Sequence, residues 1–288
     1  MKPIILFITC VMANIVCFGQ ADTLTVPVAD TTPVKSTLTV GAVYANNASY
    51  YGQKAEEKTP YIAMAATYRL KAGFYFSGLA YKLLNEKTSG ISAGSLGGGV
   101  GFKLGTRLSA DINYNHTFFA GNSPLLQAGN PDNASVALTY ENWLNVAITG
   151  DYAFGKSNDG FVTGALSKSI NLFSIGKKDI ISISPSADVV AGTQHFYQVY
   201  QEEKKLRDSL LGNVLGPITG NPPSGNPSKT VATTSFKILS YNFKLPLAYN
   251  RAHYVIEANY QLSVLSNNVE SGSGKTNSFV TLSFYYQF

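Results

Sequence analysis

The sequence predicts an all-β protein, a transmembrane antiparallel up-and-down β-barrel of about 12 strands. Only 14% of the 288 residues are charged, and 16 Phe and 18 Tyr accompany many Ser, Thr and Asn residues. Aromatic and β-branched residues favour strands. Apolar and polar residues alternate through most of the chain, which is typical of strands with one apolar and one polar face. Beyond the N-terminus, no apolar run reaches the ~20 residues of a spanning helix.

The N-terminus has the pattern of a secretory signal peptide. Lys2 precedes an apolar run from Ile4 to Phe18, and small residues follow up to Ala21. We therefore predict a cleaved signal peptide over residues 1–21 and a flexible periplasmic leader, rich in Thr, Pro and Val, over residues 22–35. Both cysteines, Cys10 and Cys17, lie in the signal peptide, so the mature chain would contain no thiol.

The last segment shows the clearest alternation of the sequence. One face of the predicted strand Asn277 to Phe288 carries the apolar residues Val280, Leu282, Phe284, Tyr286 and Phe288. The other face carries Thr281, Ser283, Tyr285 and Gln287. Such a strand has one side in an apolar medium and the other in a polar one.

A terminal strand that ends on an aromatic residue resembles the C-terminal assembly signal of Gram-negative outer-membrane β-barrel proteins. Gly19 and Gln20 before the mature start are similar to the signal peptides of Bacteroidota proteins. The resemblance implies export to the outer membrane, contact with outer-membrane lipid and recognition of Phe288 by the barrel assembly machinery. It concerns architecture alone, so it assigns no functional residue.

Alternation predicts a single barrel domain over residues 36–288. The predicted strands are Ser36–Tyr44, Tyr61–Leu70, Gly73–Leu83, Ser92–Leu104, Arg107–Phe118, Ser135–Glu141, Leu144–Phe154, Phe161–Phe173, Asp179–Tyr197, Val231–Leu247, His253–Val264 and Asn277–Phe288. The apolar face changes register between Ile238 and Leu239, which predicts a β-bulge. Because the turn at Asn142 is weakly marked, 10 or 14 strands are also compatible with the pattern. Lys168 falls on the apolar face of its strand without an evident reason.

Short and long connections alternate, as in outer-membrane barrels with short periplasmic turns and long outer loops. The longest is an outer loop over residues 197–230, in which near-helical spacing predicts a short amphipathic helix over residues 201–215. A secreted β-sandwich or lipocalin-like barrel is the alternative fold. Strand lengths near the ~9–11 residues of a tilted bilayer crossing and the terminal Phe288 argue against it.

If the apolar faces contact lipid, the alternate faces line a lumen. Its candidate lining residues are Arg69, Lys82, Lys103, Arg107, Asp111, Glu141, Asp151, Asp188, Lys244 and Glu257. This polar lining predicts a porin-like channel for passive or gated passage of small hydrophilic solutes. The alternative is a structural or docking barrel with a closed polar interior and outer loops that bind a partner. Near the predicted periplasmic strand ends lie Arg69, Lys103, Arg107 and Lys244, a basic mouth that would favour anions, with Glu141 partly cancelling its charge.

Few residues point to other chemistry. We expect no enzyme, and a lipid hydrolase is the least favoured alternative. Outer-membrane phospholipases and lipid A deacylases resemble one another in a His-x-Ser pair, which none of His116, His195 and His253 supplies. These histidines are expected in the interface girdle or in turns. We expect no metal, no cofactor and no nucleic-acid partner, because ligand clusters and basic patches are missing from the sequence.

Glycines cluster in the fourth predicted strand, at positions 94, 97, 98, 99 and 101. The sequence lacks the GK[ST] ending of a phosphate-binding loop there. Glycines inside strands allow bending or close approach of other groups. We interpret this cluster as a site of wall curvature.

Overall fold

The computed structural model describes residues 35–86, 90–121, 123–204, 235–269 and 275–288. The predicted signal peptide and all but the last residue of the predicted leader lie outside these ranges. Residues 205–215 of the predicted amphipathic helix lie outside them as well.

The regular secondary structure of the described residues is almost entirely antiparallel sheet. Its strands are β1 (Thr37–Ala45), β2 (Tyr61–Arg69), β3 (Phe74–Leu83), β4 (Ala93–Lys103), β5 (Leu108–Phe119), β6 (Asp132–Tyr140), β7 (Asn145–Phe154), β8 (Asn158–Ser167), β9 (Ile170–Phe173), β10 (Asp179–Ile183), β11 (Ser186–Gly192), β12 (Lys237–Arg251), β13 (Tyr254–Leu265) and β14 (Thr276–Gln287). A 3₁₀ helix, Leu126–Gly129, precedes β6. An α-helix, α1, is described over residues 195–204.

The sheet closes on itself as a barrel. Strand β1 pairs with β14 as well as with β2, and β12 pairs with β13 on one side and with both β10 and β11 on the other. The segments β8 and β9 are two parts of one interrupted strand, and so are β10 and β11. The wall therefore contains 12 strands, which confirms the predicted fold class and strand number.

Two predicted strands are shorter or less continuous than the sequence suggested. Phe161–Phe173 is interrupted after Ser167, and Asp179–Tyr197 is interrupted at Pro185 and ends at Gly192. Pro185 has no N–H to donate to the sheet, although its carbonyl still accepts from Lys168 N at 3.1 Å. The last residues of the second predicted strand form the start of α1 instead.

Lys168 acquires a physical explanation at the interruption of the first strand. Its ammonium lies 5.3 Å from the ring centroid of Trp143, which follows β6. A cation over an indole face is a favourable arrangement at an exposed site. Lys168 thus lies at the interruption between β8 and β9, where its ammonium has an aromatic partner.

The two ends of the barrel differ in their connections. We call the end that carries the connections after β1, β3, β5, β7, β11 and β13 the loop end and the opposite end the turn end. Residues 141–144 form the turn between β6 and β7 at the turn end, where the sequence predicted a turn at Asn142. The short hairpin of β9 and β10 also lies at the turn end, and β9 pairs with β10 alone in the sheet order.

The outer wall is apolar and the inner wall is mostly polar. Exposed outward side chains include Met64, Leu96, Ile148, Leu245 and Leu282. Inward neighbours on the same strands are small or polar, as expected for a wall that separates lipid from a polar interior. No helix in the described ranges is long and apolar enough to span a membrane.

The predicted bulge near Ile238 and Leu239 is confirmed. Val190 pairs with Ser240 and Ala191 pairs with Ile238, so Leu239 is the extra residue of β12. The side chain of Leu239 is fully buried in the interior. The bulge therefore turns an apolar side chain inward near the loop end, where the rest of β12 places polar ones.

Two glycines of β4, Gly99 and Gly101, allow close approach of other groups, whereas the predicted role of the cluster in wall curvature stays a prediction. A Cβ atom on Gly99 would lie 2.6 Å from the Tyr75 hydroxyl and 2.6 Å from the Ile112 carbonyl oxygen. A Cβ atom on Gly101 would lie 3.2 Å from both Arg69 Nη1 and Asp111 Oδ2. Side chains from β2 and β3 thus lie flat across β4 and reach β5.

We predict that Gly99→Ala lowers the free energy of unfolding by about 1–3 kcal/mol, because the added methyl group overpacks the inner wall. The measurement is urea unfolding of the refolded barrel in detergent, followed by tryptophan fluorescence. Gly150→Ala is the matched control, since a Cβ atom at Gly150 meets no atom within 4 Å. Equal stability of the two variants would contradict this account of Gly99.

Candidate functional site

The connection between β1 and β2, residues 46–60, folds into the loop end of the barrel. We call it the plug loop. Its base is fastened by the Asn47 carboxamide oxygen, which accepts hydrogen bonds from Thr59 N at 2.9 Å and from Thr59 Oγ1 at 2.6 Å. Ala48 N in turn donates to Thr59 Oγ1 at 3.1 Å. The two ends of the loop are therefore held together before it enters the interior.

The tip of the plug loop is a tight two-residue hairpin. Tyr50 and Gln53 exchange two backbone hydrogen bonds of 2.8 and 3.0 Å. Tyr51 has φ 53° and Gly52 has φ 78°. Hairpins of this kind need positive φ at both central residues, which is unfavourable for tyrosine by about 1–2 kcal/mol. The surroundings of Tyr51 must therefore stabilise the tip.

One wall of the barrel binds the backbone of the tip. Ser240 Oγ donates to the Tyr51 carbonyl oxygen at 2.9 Å, and Asn277 Nδ2 donates to the Gly52 carbonyl oxygen at 3.0 Å. A Cβ atom on Gly52 would lie 2.5 Å from Asn242 Oδ1. Glycine is thus required at this position by its backbone conformation and by the proximity of β12.

The other side of the tip packs against β8 and reaches β7. The Tyr51 ring stacks on Phe161, with 3.6 Å between centroids and 16° between planes. The Tyr51 hydroxyl is hydrogen-bonded to Asp151 and Asn133 on the inner wall. The tip thus spans the interior between two parts of the wall.

Helix α1 covers the plug loop. Phe196 is fully buried, and its ring lies 4.8 Å from that of Tyr50. Glu56 N donates to the Tyr200 hydroxyl at 3.2 Å, and the Glu56 carboxylate accepts from Gln201 at 3.0 Å. Lys204 also lies 3.4 Å from the Glu56 carboxylate. Helix and plug loop are therefore fastened to each other by packing and by polar contacts.

A buried carboxylate holds the start of α1. Asp159 is inaccessible to solvent and accepts from His195 N at 2.7 Å and from Phe196 N at 2.8 Å. It also accepts from Thr193 Oγ1 at 2.7 Å and from Asn130 Nδ2 at 2.8 Å. Backbone donors at a helix N-terminus favour a negative charge. Asp159 thus joins α1 to the start of β8 and to the connection before β6.

Apolar and aromatic side chains close the interior at the loop end. One buried cluster consists of Tyr50, Tyr51, Ala55, Leu126, Ala153, Phe161, Val190, Phe196, Tyr197, Tyr200, Leu239, Leu265 and Val269. A second consists of Ala45, Ala48, Tyr61, Ala63, Ala65, Leu79, Tyr81, Leu83, Ala93 and Leu125. The loop-end half of the interior is therefore a packed core, unlike the polar lumen that the sequence predicted throughout.

A buried ion pair lies below the tip. Lys244 Nζ is 3.2 Å from Asp188 Oδ1, and the two side chains are 1% and 2% exposed. Asn242 Nδ2 donates to Asp188 Oδ2 at 2.7 Å and to Ser240 Oγ at 3.1 Å. Because Ser240 binds the Tyr51 carbonyl, a continuous chain of polar contacts connects the ion pair with the tip.

A second polar network lies near the turn end. The Arg69 guanidinium is 4.5 Å from the centroid of the Tyr75 ring. The Tyr75 hydroxyl donates to Asp111 Oδ1 at 2.7 Å, and Asn113 Nδ2 donates to the same oxygen at 3.1 Å. The turn-end half of the interior is thus polar and carries charges of both signs.

The strand alternation places most of the candidate lining residues on the inner face. Inward positions are occupied by Arg69, Lys103, Asp111, Glu141, Asp151, Asp188, Lys244 and Glu257. Arg107 is exposed in the turn between β4 and β5. The structure joins these residues in small groups along neighbouring strands and does not gather them into one ring.

Lys82 is a correction, because it lies on the outer face. It alternates with the buried residues Tyr81 and Leu83 and has the same parity as the exposed Phe74 and Phe76. Strand β3 carries apolar residues on both faces, since its inner face joins the packed core at the loop end. Polarity alone therefore misassigned Lys82.

Lys244 is a second correction. The sequence placed it at a periplasmic strand end with other basic residues, whereas it lies in the middle of β12, paired with Asp188. Arg69 is likewise near Asp111. Since Lys244 and Arg69 each lie near a carboxylate, only Lys103 and Arg107, with Glu141, remain of the predicted basic mouth.

Sequence reasoning missed the tip of the plug loop and Asp159. Two adjacent tyrosines followed by glycine, in an otherwise polar connection, are the signal that could have indicated the tip. The histidines were expected in the girdle or in turns, and His253 does lie in the turn between β12 and β13. His195 instead begins α1, with its Nδ1 atom 3.1 Å from Asp159 Oδ1. Within the described ranges, no cluster of three or more His, Cys, Asp or Glu side chains could hold a metal ion.

No family model and no curated protein matches the chain. Solved structures of similar shape include the KdgM porin, with 8% identity, TM-score 0.48 and coverage of 87% of this chain and 99% of that one. LpxR from Salmonella typhimurium has 7% identity, TM-score 0.47 and coverage of 87% and 99%. The COG4313 outer membrane channel from Pseudomonas putida F1 has 12% identity, TM-score 0.43 and coverage of 89% and 96%. Similarities this low say nothing about the activity of this chain.

We predict that Asp159→Ala loosens α1 and lowers the free energy of unfolding by about 2–4 kcal/mol, because several buried donors lose their acceptor. Limited proteolysis of the refolded barrel measures the first effect and urea unfolding the second. Glu202→Ala, at an exposed position of the same helix, is the control. Protease resistance equal to that of the control would show that Asp159 does not hold the helix.

We also predict that Tyr50 and Tyr51 stay protonated in the folded barrel at alkaline pH. Burial raises the pKa of both phenols well above the usual value, and the nearby Asp159 and Asp151 carboxylates raise it further. Because their folded-state pKa is raised, the two protonated phenols contribute fully to the free energy of unfolding below the unfolded-state pKa of about 10. This contribution is lost as the pH rises above that pKa.

Phenolate absorbance at 295 nm during an alkaline titration measures this effect. While the barrel stays folded, the Tyr50→Phe/Tyr51→Phe variant should show the same increase in absorbance at 295 nm as the wild type. Its total increase in absorbance should be smaller only once the barrel has unfolded. A smaller rise in the folded variant would contradict the prediction.

Proposed function

We propose that this protein is an outer-membrane channel for small hydrophilic solutes, closed at its loop end by the plug loop and opened when the tip Tyr50–Gln53 leaves the wall. The observation that carries the proposal is the way the tip is held. It lies inside the barrel, yet it is bound by side chains of the wall and belongs to no strand of the barrel sheet. Export by the predicted signal peptide and assembly through the strand that ends in Phe288 are parts of the same proposal.

The balance of forces on the tip favours a reversible closure. Each neutral hydrogen bond to the tip contributes about 0.5–1.5 kcal/mol, and aromatic pairs contribute about 0.5–1.5 kcal/mol beyond their burial. The left-handed conformation of Tyr51 opposes insertion by about 1–2 kcal/mol. Opening the tip therefore requires far less free energy than breaking the hydrogen-bonded wall.

The turn-end half of the interior suits a hydrophilic route. Arg69, Tyr75 and Asp111 form a polar network on the wall, and Glu257 faces inward on β13. Since the charges of both signs lie close together, their fields largely cancel at a distance. We therefore expect weak selectivity between small anions and cations once the tip is withdrawn.

The packed core at the loop end also favours a second candidate, a closed barrel whose outer surface binds a partner. In that case, removal of the tip would leave the barrel closed. The two candidates differ in one measurable property, the conductance of variants whose tip cannot close.

Removing the two wall donors that bind the tip tests the channel. Ser240 Oγ donates to the Tyr51 carbonyl oxygen at 2.9 Å, and Asn277 Nδ2 donates to the Gly52 carbonyl oxygen at 3.0 Å. We expect Ser240→Ala/Asn277→Ala to raise the open fraction in planar bilayers at least about fivefold, because each lost hydrogen bond weakens the closed state by about 0.5–1.5 kcal/mol. Gly164→Ala, at an open position of β8, is the control, and an open fraction equal to that of the control would contradict the proposal.

Replacing the tip, Tyr50 to Gln53, by four glycines should also increase the open fraction, at least tenfold, because the stacking on Phe161 is lost. The wild-type barrel in the same bilayers is the reference for this open fraction. If the glycine variant refolds to a barrel that conducts no ions, the channel proposal fails and the closed docking barrel is favoured.

A further inference from the structure

A recess of about 670 Å³ crosses the outer wall from β5 to β14. Its floor consists of small side chains on neighbouring strands, among them Ala66, Gly78, Ala80 and Gly94. Its rim is formed by the larger Met64, Leu96, Phe118 and Phe284. The volume is in the range of ~300–1,000 Å³ that is usual for single-ligand pockets.

The recess descends from the loop end into the apolar belt. Across the strands, Phe118 pairs with Gly94, Gly94 with Ala80, and Ala80 with Met64. Gly94 and Phe118 lie one residue from the loop-end limits of β4 and β5. Phe284 lies eight residues from the loop-end limit of β14, which begins at Thr276. Its deep end is therefore surrounded by outward apolar side chains.

A cluster of polar side chains lies beside the upper end of the recess. Outward His116 pairs across the sheet with Leu96, and its ring lies 4.5 Å from the ring of Phe118. His116 Nδ1 is 2.7 Å from Asp132 Oδ1, which also accepts from the Tyr114 hydroxyl at 2.5 Å. Because Asp132 is the acceptor of both bonds, Nδ1 donates, and in the imidazolium form Nε2 on the opposite edge of the ring is a second donor, so it is this form that binds an anion.

Lys82 lies on the other side of the same end. It follows Ala80 by two residues on β3, so both point outward. The upper end of the recess thus lies between a lysine and a histidine that is oriented by a carboxylate. Charged side chains on the outer wall of a barrel are costly in hydrocarbon and inexpensive at the level of the headgroups.

We propose that the recess is a binding site for a phosphate-bearing membrane lipid of the leaflet at the loop end. One acyl chain lies in the recess over Ala80 and Gly94. The phosphate lies at the upper end, between Lys82 and the Nε2 edge of His116. Lysine and histidine donors match an anionic phosphate, and the purely apolar floor matches a hydrocarbon chain.

The test measures lipid retention. The refolded barrel in detergent is incubated with phosphatidylglycerol or with diacylglycerol that has the same acyl chains, and bound lipid is counted by native mass spectrometry. We expect one retained phosphatidylglycerol per barrel and at least about tenfold less diacylglycerol, because the phosphate supplies charge-assisted hydrogen bonds. Equal retention of both lipids would overturn the proposal.

Two kinds of variant separate the headgroup from the chain. Lys82→Gln/His116→Gln should reduce phosphatidylglycerol retention about tenfold and leave diacylglycerol unchanged, because only the phosphate contacts are lost. Ala80→Phe should abolish retention of both lipids, since the ring fills the recess.

Gly164→Phe is the control for an added outward ring. Gly164 is exposed on β8, outside the recess, and a Cβ atom there meets no atom within 4 Å. Each variant is first shown to refold by its heat-dependent migration in gels. Unchanged retention in Ala80→Phe, or an equal loss in Gly164→Phe, would overturn the site.

Discussion

The insertion of a strained hairpin into the barrel is the constraint on which the loop-end structure depends. Tyr51 adopts an unfavourable backbone conformation, its ring stacks on Phe161 of β8, and its carbonyl oxygen binds Ser240 of β12. The tip fits because Ser240 on β12 and Asn277 on β14 donate to its backbone carbonyls and β8 presents Phe161 to its ring. The bulge at Leu239 belongs to the same adaptation, since it adds one apolar side chain to the core around the tip.

The inner wall shows how a barrel carries charges in a narrow space. Asp188 and Lys244 neutralise each other on adjacent strands, and Arg69 lies over Tyr75 near Asp111. Burying a single charge costs several kcal/mol, whereas a paired and hydrogen-bonded charge is tolerated. The glycines of β4 are part of this arrangement, because only a wall without side chains lets Tyr75 and Arg69 lie across it.

Much of the wall could be predicted from the sequence, because a strand between lipid and a polar interior must alternate. The strand limits agree to within a few residues for most strands, and the register change at Leu239 was visible as a change of the apolar face. Alternation does not assign side chains to the correct face where the interior and the outer surroundings of a strand are both apolar. At the loop end the interior beside β3 is apolar, as the outer wall is, so Lys82 on β3 was placed on the wrong face.

The tip could not be predicted for a different reason. Its contacts join Tyr51 to Ser240 and Phe161, residues far apart in the sequence, and no periodic pattern records such a contact. The same holds for Asp159, whose partners Asn130, Thr193 and Phe196 come from two distant connections of the chain. Helix α1 begins six residues before the predicted start at Gln201, since its first residues are fixed by that distant carboxylate and not by local spacing.

The position of Asp159 has a consequence for how the loop end moves. One carboxylate binds the segment before β6, the first turn of α1 and its own hairpin, and α1 in turn binds the plug loop through Glu56. Segments that share one buried acceptor are coupled in their local opening. The start of α1, the plug loop and the connection before β6 are thus linked through Asp159 and Glu56, so a movement of the plug loop involves α1 as well.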